Sequence, residues 1–173
     1  MRTEAVGVLV RPARPRDARA ILALARAVAA EGRWIRARRV TRTARDYRRL
    51  TRDAWSRSGA FLVAEADGSV VGTLRIAREQ QEPIDHVATF GMQVAAAWRG
   101  RGVGSALLAE ALRWAGETGV RKVELSVYPD NDAARALYAR FGFLEEGRLV
   151  RHSRRADGFV DEIMMGRWIG EDV

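Results

Sequence analysis

Apolar residues recur along the chain with two spacings, at every second position or at every third and fourth position. The first spacing predicts strands and the second predicts helices. Four segments show the alternation or the short β-branched runs that are typical of strands, at residues 6–11, 61–76, 86–94 and 122–127. The second of these segments is interrupted by Asp67-Gly68, a pair suited to the positive φ angles of a tight turn. We therefore expect residues 61–76 to form a β-hairpin.

Helical spacing appears between the first two strand segments. From Asp17 to near residue 32, apolar residues recur at intervals of three and four, which predicts a first helix. A second helix is predicted to begin after Thr43. Its inner face is formed by Tyr47, Leu50 and Ala54.

The second half of the chain continues the alternation of strands and helices. Helices are predicted after the glycine-rich stretch at 98–104 and over residues 132–142, and two strands around Asp157-Gly158 close the chain. The predicted order is β-α-α-β-β-β-α-β-α-β-β. This order indicates one α/β domain over residues 1–173, with a mixed sheet.

Composition narrows the possible chemistry. The chain has 173 residues, a net charge of +8, no cysteine and two histidines, His86 and His152. Disulfides, thiolate metal sites and cysteine nucleophiles are thereby excluded, and a zinc site is not expected. The sequence lacks an apolar run of the ~20 residues that a membrane helix needs, and it lacks the apolar region of a secretory signal. We expect a cytoplasmic protein with no membrane contact.

The stretch WRGRGVGSALL at residues 98–108 follows a predicted strand and begins a predicted helix, which is the context of an anion site. A Walker loop would need a lysine after the glycines, and the chain has none there. The dinucleotide pattern G-x-G-x-x-G/A fails at its last position from either possible start. The pattern that remains is R-x-x-G-x-G, at Arg99, Gly102 and Gly104.

A second motif about thirty residues later makes the assignment more specific. The segment YPDNDAARALYARFGFLEEG fits the pattern N-x-x-A-x-x-L-Y-x-x-x-G-F. With both motifs in place, the chain resembles the GNAT superfamily of N-acetyltransferases over residues 61–168, with a fainter match near the N-terminus. The matching positions are Asn131, Ala134, Leu137, Tyr138, Gly142 and Phe143.

The resemblance implies a fold, an activity and a cofactor. The implied fold is a mixed, mostly antiparallel sheet of about seven strands with flanking helices, splayed between the fourth and fifth strands. The implied activity is transfer of an acetyl group from acetyl-CoA to an amine, by direct attack in a ternary complex. The residues implied to contact acetyl-CoA are Met92, Gln93, Val94, Arg99, Arg101, Gly102, Val103, Gly104, Ser105, Asn131, Ala134 and Tyr138.

Catalytic roles follow from the same resemblance and from side-chain chemistry. Tyr138 is the expected general acid, because a phenol with a pKa of about 10 stays protonated at neutral pH. Asn131 either caps the following helix through its side-chain oxygen or contacts the cofactor, and Asp132 is the alternative cap in place of Asn131. Gly91 permits either a bulge in its strand or close packing. The general base is left open among ordered water and five residues, Glu31, Glu79, Glu82, Asp85 and His86.

Arginines at spacings of three and four between residues 38 and 52 would lie along one side of the second helix if it extends that far. A solvated face is the preferred interpretation, and nucleic acid is an unlikely partner because no aromatic residues are interleaved to stack bases. A cationic rim would instead favour acceptors with a carboxylate or a phosphate. The stripe consists of Arg38, Arg42, Arg45, Arg49 and Arg52.

The acceptor itself is not readable from the sequence, and small-molecule amines and protein N-termini both stay open. A homodimer is possible, as in many proteins of the family that the motifs resemble. The alternative function is a nucleic-acid- or protein-binding module that keeps an acyl-CoA-binding scaffold without catalysis.

Overall fold

The computed structural model describes residues 3–5, 7–34 and 40–170, and within them one sheet of eight strands is flanked by four α-helices. The strands are β1 (Thr3–Ala5), β2 (Val8–Pro12), β3 (Gly59–Ala66), β4 (Ser69–Arg78), β5 (Val87–Val94), β6 (Lys122–Val127), β7 (Leu144–Arg155) and β8 (Gly158–Trp168). The helices are α1 (Ala18–Ala30), α2 (Ala44–Leu50), α3 (Val103–Thr118) and α4 (Asp132–Arg140).

The strands follow the order β1-β2-β3-β4-β5-β6-β8-β7 across the sheet. Every neighbouring pair is antiparallel except β5 and β6, which are parallel. The predicted α/β class and the mixed, mostly antiparallel sheet are therefore confirmed. The three-residue β1 adds an eighth strand at the edge that the sequence pattern did not predict.

The predicted hairpin is confirmed as β3 and β4. Asp67 and Gly68 both have positive φ, at 48° and 74°, as a tight turn between right-twisted strands requires. The predicted first strand corresponds to β2, and Val6 lies outside the described residues.

The second helix is shorter than its pattern suggested. Helix α2 begins with a capping box, in which the Thr43 hydroxyl accepts from the Asp46 amide and the Asp46 carboxylate accepts from the Thr43 amide. It ends at Leu50, and Thr51 caps this end, with its amide and its hydroxyl donating to the Tyr47 carbonyl at 2.9 and 3.0 Å. Ala54, expected on the inner face of this helix, is buried but lies beyond its end.

The two faces of the sheet carry separate apolar clusters. Alternate residues of β3 separate them, with Leu62 in the cluster under α3 and α4, and Phe61 and Val63 in the cluster under α1 and α2. Trp114 of α3 is fully buried in the first cluster, and Ile21 of α1 is buried in the second. The two layers of helices thus cover opposite faces of the sheet.

The sheet opens at its one parallel pair. Strands β5 and β6 are paired only at Val87–Thr89 with Lys122–Glu124, so residues 90–94 of β5 continue beside β4 without a partner on their other side. This is the splay that the sequence resemblance predicted between the fourth and fifth strands. These strands are β5 and β6 here, because β1 adds one to the numbering.

None of the helices in the described residues is long and apolar enough to cross a membrane. The same residues contain no group of three or more histidine, aspartate or glutamate side chains arranged to hold a metal ion.

Candidate functional site

The glycine-rich stretch forms a left-handed entry into α3. Gly100 and Gly102 have φ angles of 72° and 82°, which residues with a Cβ adopt only at a cost. The first α3 hydrogen bond runs from the Ala106 amide to the Gly102 carbonyl at 3.0 Å. The amides of residues 103–105 therefore have no acceptor within the helix, and together they form an electropositive end.

Gly104 lets this end of α3 approach β5 and α4 closely. A Cβ at Gly104 would lie 3.1 Å from Leu137 Cδ2 and 3.4 Å from Met92 Cε. At Gly102, by contrast, a Cβ would meet no atom within 4 Å, so it would point into open space. The backbone of the loop is thus open to the cleft at Gly102, whereas at Gly104 it packs against Leu137 and Met92.

The side chains of Arg99 and Arg101 have different environments. Arg99 donates to both carboxylate oxygens of Glu31 at 2.8 and 2.7 Å, and to the Val94 carbonyl at 3.1 Å. Arg101 lies over the Trp98 ring with its guanidinium carbon 5.3 Å from the ring centroid. Arg99 therefore ties the end of α1 to the end of β5, while Arg101 is exposed beside the loop.

A cleft of about 860 Å³ runs from the glycine loop through the splay to the opposite face of the sheet. Arg101 and Val103 are the two predicted cofactor residues that do not line it, since Val103 is buried in the core and Arg101 lines a separate depression. The predicted cofactor residues that line the cleft are Met92, Gln93, Val94, Arg99, Gly102, Gly104, Ser105, Asn131, Ala134 and Tyr138.

Asn131 is the N-cap of α4, since its side-chain oxygen accepts a hydrogen bond from the Ala134 amide at 3.3 Å. Asp132, the alternative cap, is instead the first residue of the helix, so that alternative was wrong. Because Asn131 also lines the cleft, the cap does not separate it from a ligand. The cofactor contact stays a prediction.

Tyr138 extends from α4 to the cleft under the splayed strands. Its ring makes edge contacts with Phe90 and Phe143, at centroid distances of 5.7 and 6.0 Å. Burial raises the pKa of the Tyr138 phenol to about 12. The hydroxyl therefore stays protonated throughout the neutral range, which is the state that a proton donor needs.

The opposite half of the cleft is formed by the sheet face under α1 and α2. A row of residues crosses three strands there, because Phe61 of β3 is paired with Arg75 of β4, and Arg75 is paired with Gly91 of β5. Arg42, just before α2, lines the same cleft. Neither Arg42 nor Arg75 forms a hydrogen bond or an ion pair with another residue in the described part of the chain.

Both interpretations of Gly91 were wrong. The β4–β5 register is continuous across it, so there is no bulge, and a Cβ would meet no atom within 4 Å, so nothing packs closely against it. Gly91 is exposed at the splay and leaves the strand backbone open to the cleft.

The five residues considered as general base all lie outside the cleft lining. Hydrogen bonds from Arg99 lower the pKa of Glu31, and His86 stacks on Trp168 at a centroid distance of 6.2 Å. Asp85, Glu79 and Glu82 belong to the segment between β4 and β5, away from the splay.

Glu162 of β8 is a residue that sequence reasoning missed. It is 1% exposed, and it is the one carboxylate among the described residues that line the cleft. Its Oε1 accepts a hydrogen bond from the Ser153 hydroxyl of β7. The sequence signal at this position is weak, because Glu162 lies between Asp161 and Ile163 and nothing local distinguishes it from an acidic residue on a solvated strand face.

The arginine stripe does not form a continuous helical face. Helix α2 contains Arg45 and Arg49, whereas Arg42 and Arg52 lie outside its ends, and Arg38 lies outside the described residues. All four described arginines are exposed. Only Arg42 of the four reaches the cleft.

The comparisons agree with this geometry. The model of the acetyltransferase (GNAT) family matches residues 29–143. An L-amino acid N-acetyltransferase, AaaT of Escherichia coli, is 39% identical over 107 residues, which are 61% of this chain and 66% of that protein. The chain spans smaller shares, 39% and 45%, of two further curated acetyltransferases.

Solved structures have the same fold. A GNAT-family acetyltransferase from Streptococcus pneumoniae superposes with a TM-score of 0.88 at 28% identity, covering 94% of this chain and 99% of that one. The Salmonella typhimurium protein yncA, with its cofactor acetyl-CoA, has a TM-score of 0.87 at 18% identity, covering 96% of each chain. The second likeness concerns the fold alone.

Proposed function

Because the chain belongs to the acetyltransferase (GNAT) family, we propose that it transfers an acetyl group from acetyl-CoA to a primary amine by direct attack within a ternary complex. The observation that carries this proposal is the splay between β5 and β6, which connects a cleft half at the α3 N-terminus with a half under α1 and α2. Two substrates entering from opposite faces would meet there without displacing each other.

The residues present fit acetyl-CoA at the α3 end. The free amides of residues 103–105 and the open backbone at Gly102 suit a pyrophosphate, since a helix N-terminus favours negative charge. The unpaired edge of β5 at residues 92–94 suits an extended arm that carries amides. When bound, acetyl-CoA supplies an activated thioester carbonyl.

In the proposed reaction, three groups of this chain take part in the transfer. A backbone amide at Met92 or Val94 donates to the carbonyl oxygen, which carries the developing negative charge. Glu162 accepts the proton that the amine loses as the N–C bond forms, directly or through water. Tyr138 donates a proton to the sulfur as the C–S bond breaks. The site is restored when Tyr138 regains a proton and Glu162 releases the one that it accepted.

We assign the acceptor to the amines that also carry an anionic group. Arg42 and Arg75 line the acceptor half, and neither pairs with another described residue. Arg42 is the one described arginine of the rim expected from the sequence that lines the cleft, and Arg75 was not part of that rim. A guanidinium suits a carboxylate because it donates two parallel hydrogen bonds. The L-amino acid acceptor in the name of the E. coli relative belongs to this class.

The cofactor half is tested with a matched pair of variants. Gly102 and Gly119 both have left-handed φ angles and open space at a Cβ, but they lie at opposite ends of α3. Alanine at either position costs about 1–2 kcal/mol of strain. Only Gly102→Ala is expected to raise the KM for acetyl-CoA, by about tenfold, in an assay of CoA release.

Two outcomes would contradict the proposed function. A melting temperature that does not change with millimolar acetyl-CoA would favour the binding-module alternative, because a specific ligand stabilises by mass action. An acetyl group retained on the protein after incubation with acetyl-CoA alone would exclude direct transfer, which predicts an unchanged mass and intersecting initial-rate lines.

The acceptor class is tested at Arg75. Arg75→Gln is expected to raise the KM for carboxylate-bearing amines about 10- to 100-fold, the effect of losing one charged hydrogen-bonded contact of about 1.5–3 kcal/mol. Arg52→Gln, at an exposed position outside the cleft, is the matched control. Efficient, salt-insensitive turnover of spermidine would contradict the assignment.

We also propose a homodimer, with the β7–β8 hairpin as its interface. β7 is an edge strand of the sheet, and Leu144, Val150 and Phe159 are 72%, 72% and 68% exposed on this hairpin. Light scattering after size-exclusion chromatography tests it, and a monomer mass at micromolar concentration would refute it.

A further inference from the structure

The acceptor half of the cleft continues past Arg75 into an apolar end. Among the residues that the structure describes, six apolar and aromatic side chains from α1, the segment after it, α2 and β3 line that end. They are Ile21, Val28, Trp34, Tyr47, Leu50 and Phe61.

The apolar end lies at a defined distance from the splay. The row Phe61, Arg75, Gly91 crosses β3, β4 and β5, and neighbouring strands are about 4.8 Å apart. Phe61 is therefore about 10 Å from the strand edge where the transfer is proposed to occur, with Arg75 between them. A ligand along this row meets the open strand at Gly91, then a cation, then an apolar surface.

The apolar end faces away from the cofactor half. Phe61 belongs to the cluster under α1 and α2, whereas Met92 and Tyr138 pack on the cluster under α3 and α4. A group bound at the apolar end is thus part of the acceptor and not of the cofactor arm.

We propose that this apolar end binds a large apolar side chain of the acceptor, so that the enzyme selects small amines that carry both a carboxylate and an apolar group. The inference rests on the proposed function, and it adds an apolar side chain to the anionic group already assigned to the acceptor. The order of contacts along the row matches a compact zwitterion, whose amine, carboxylate and side chain diverge from one carbon atom. A long polyamine or a simple alkyl amine satisfies only part of the row.

The size of the expected preference follows from apolar transfer. Each buried methylene contributes about 0.8 kcal/mol, which is about fourfold in kcat/KM. Between alanine and norleucine, which differ by three methylenes, we expect kcat/KM to rise about 50-fold if each methylene is fully buried.

The first test is the series glycine, alanine, norvaline and norleucine, with saturating acetyl-CoA and CoA release as the readout. A steady rise in kcat/KM along the series supports the inference. A flat or falling series overturns it while leaving acetyl transfer intact. Absence of CoA release with every amine, together with no thermal shift by acetyl-CoA, would instead refute the proposed function.

The second test changes the cavity. Leu50 is half-buried at the C-terminus of α2, and Leu50→Trp fills the apolar end. We expect it to lower kcat/KM for norleucine at least tenfold relative to glycine, with the KM for acetyl-CoA unchanged.

Ile84 is 47% exposed between β4 and β5, outside the cleft lining, so Ile84→Trp is the matched control and should leave the ratio unchanged. An equal ratio in Leu50→Trp and wild type would overturn the inference. If Leu50→Trp does not fold, as judged by its melting temperature, the amino acid series on the wild-type protein decides alone.

Discussion

Replacement of Tyr138 by phenylalanine separates chemistry from packing at the proposed site. The Tyr138 ring is held between Phe90 and Phe143, and phenylalanine keeps both edge contacts. The hydroxyl forms no hydrogen bond with another described residue. The substitution thus removes a proton donor and leaves the apolar contacts of the ring in place, so we expect the free energy of unfolding to change by less than about 1 kcal/mol.

The effect on turnover should be much larger. With a pKa of about 12, Tyr138 is ionised in only about one molecule in 10⁴ at pH 8, so the donor is present in almost every enzyme molecule. Removal of a positioned general acid costs about 10²- to 10⁴-fold in rate, or about 3–5 kcal/mol of activation free energy. The KM for acetyl-CoA should change by less than about threefold, since the hydroxyl acts after binding.

The assay is CoA release with saturating amine, paired with thermal melts of both proteins. A kcat within twofold of wild type would remove Tyr138 from the mechanism, and a large rise in the KM for acetyl-CoA would make it a binding residue instead.

The raised pKa of Tyr138 gives a further check, through the pH dependence of stability. The neutral phenol contributes fully to the stability of the folded protein below pH about 10, the unfolded pKa of tyrosine, and this contribution is lost as pH rises through about 12. Tyr138→Phe has no phenol to ionise at this position, so only wild type should lose this stability.

Three further predictions concern a proton acceptor, a buried ion pair and a packed glycine. Glu162→Gln should lower kcat/KM about 100-fold or more at pH 7, and a kcat/KM within threefold of wild type would exclude Glu162 as the proton acceptor. Burial opposes the charge of Asp17, but its hydrogen bonds to Arg11, one of them 2.7 Å long, contribute to a lowered pKa of the carboxyl. Asp17→Asn should therefore destabilise the protein by about 3 kcal/mol in thermal melts at pH 7. The difference should shrink once pH falls below the unfolded pKa of about 4, and it should disappear only as pH falls through the lowered folded pKa of Asp17. Alanine at Gly72, where a Cβ would lie 2.9 and 3.0 Å from side-chain atoms of α3, should lower the melting temperature by several degrees, or about 1–3 kcal/mol, whereas Gly91→Ala should not.

Sequence patterns were enough to predict the kinds of element and most residues of the cleft half at the N-terminus of α3. Asp67-Gly68 predicted the hairpin and the glycines at 100–104 predicted the left-handed entry into α3, because these features depend on the φ angles of a few adjacent residues. Tyr138 was also predicted from the sequence to belong to the site, and it lines the cleft. Its motif spans only residues 131–143, in α4 and the residues next to it. Such features depend only on residues that are close together in the sequence, so a short segment is enough to predict them.

The other half of the cleft could not be predicted in this way, because its residues come from distant parts of the chain. Arg75 lies on β4 and Glu162 on β8, which are far apart in sequence and are not neighbours in the sheet. Both line one cleft only because β8 pairs with β6 beyond the splay. The ion pair of Glu31 with Arg99 likewise joins residues separated by 68 positions. No local period distinguishes an arginine or a glutamate in a cleft from one on a solvated face, because the distinction depends on which distant strands become neighbours.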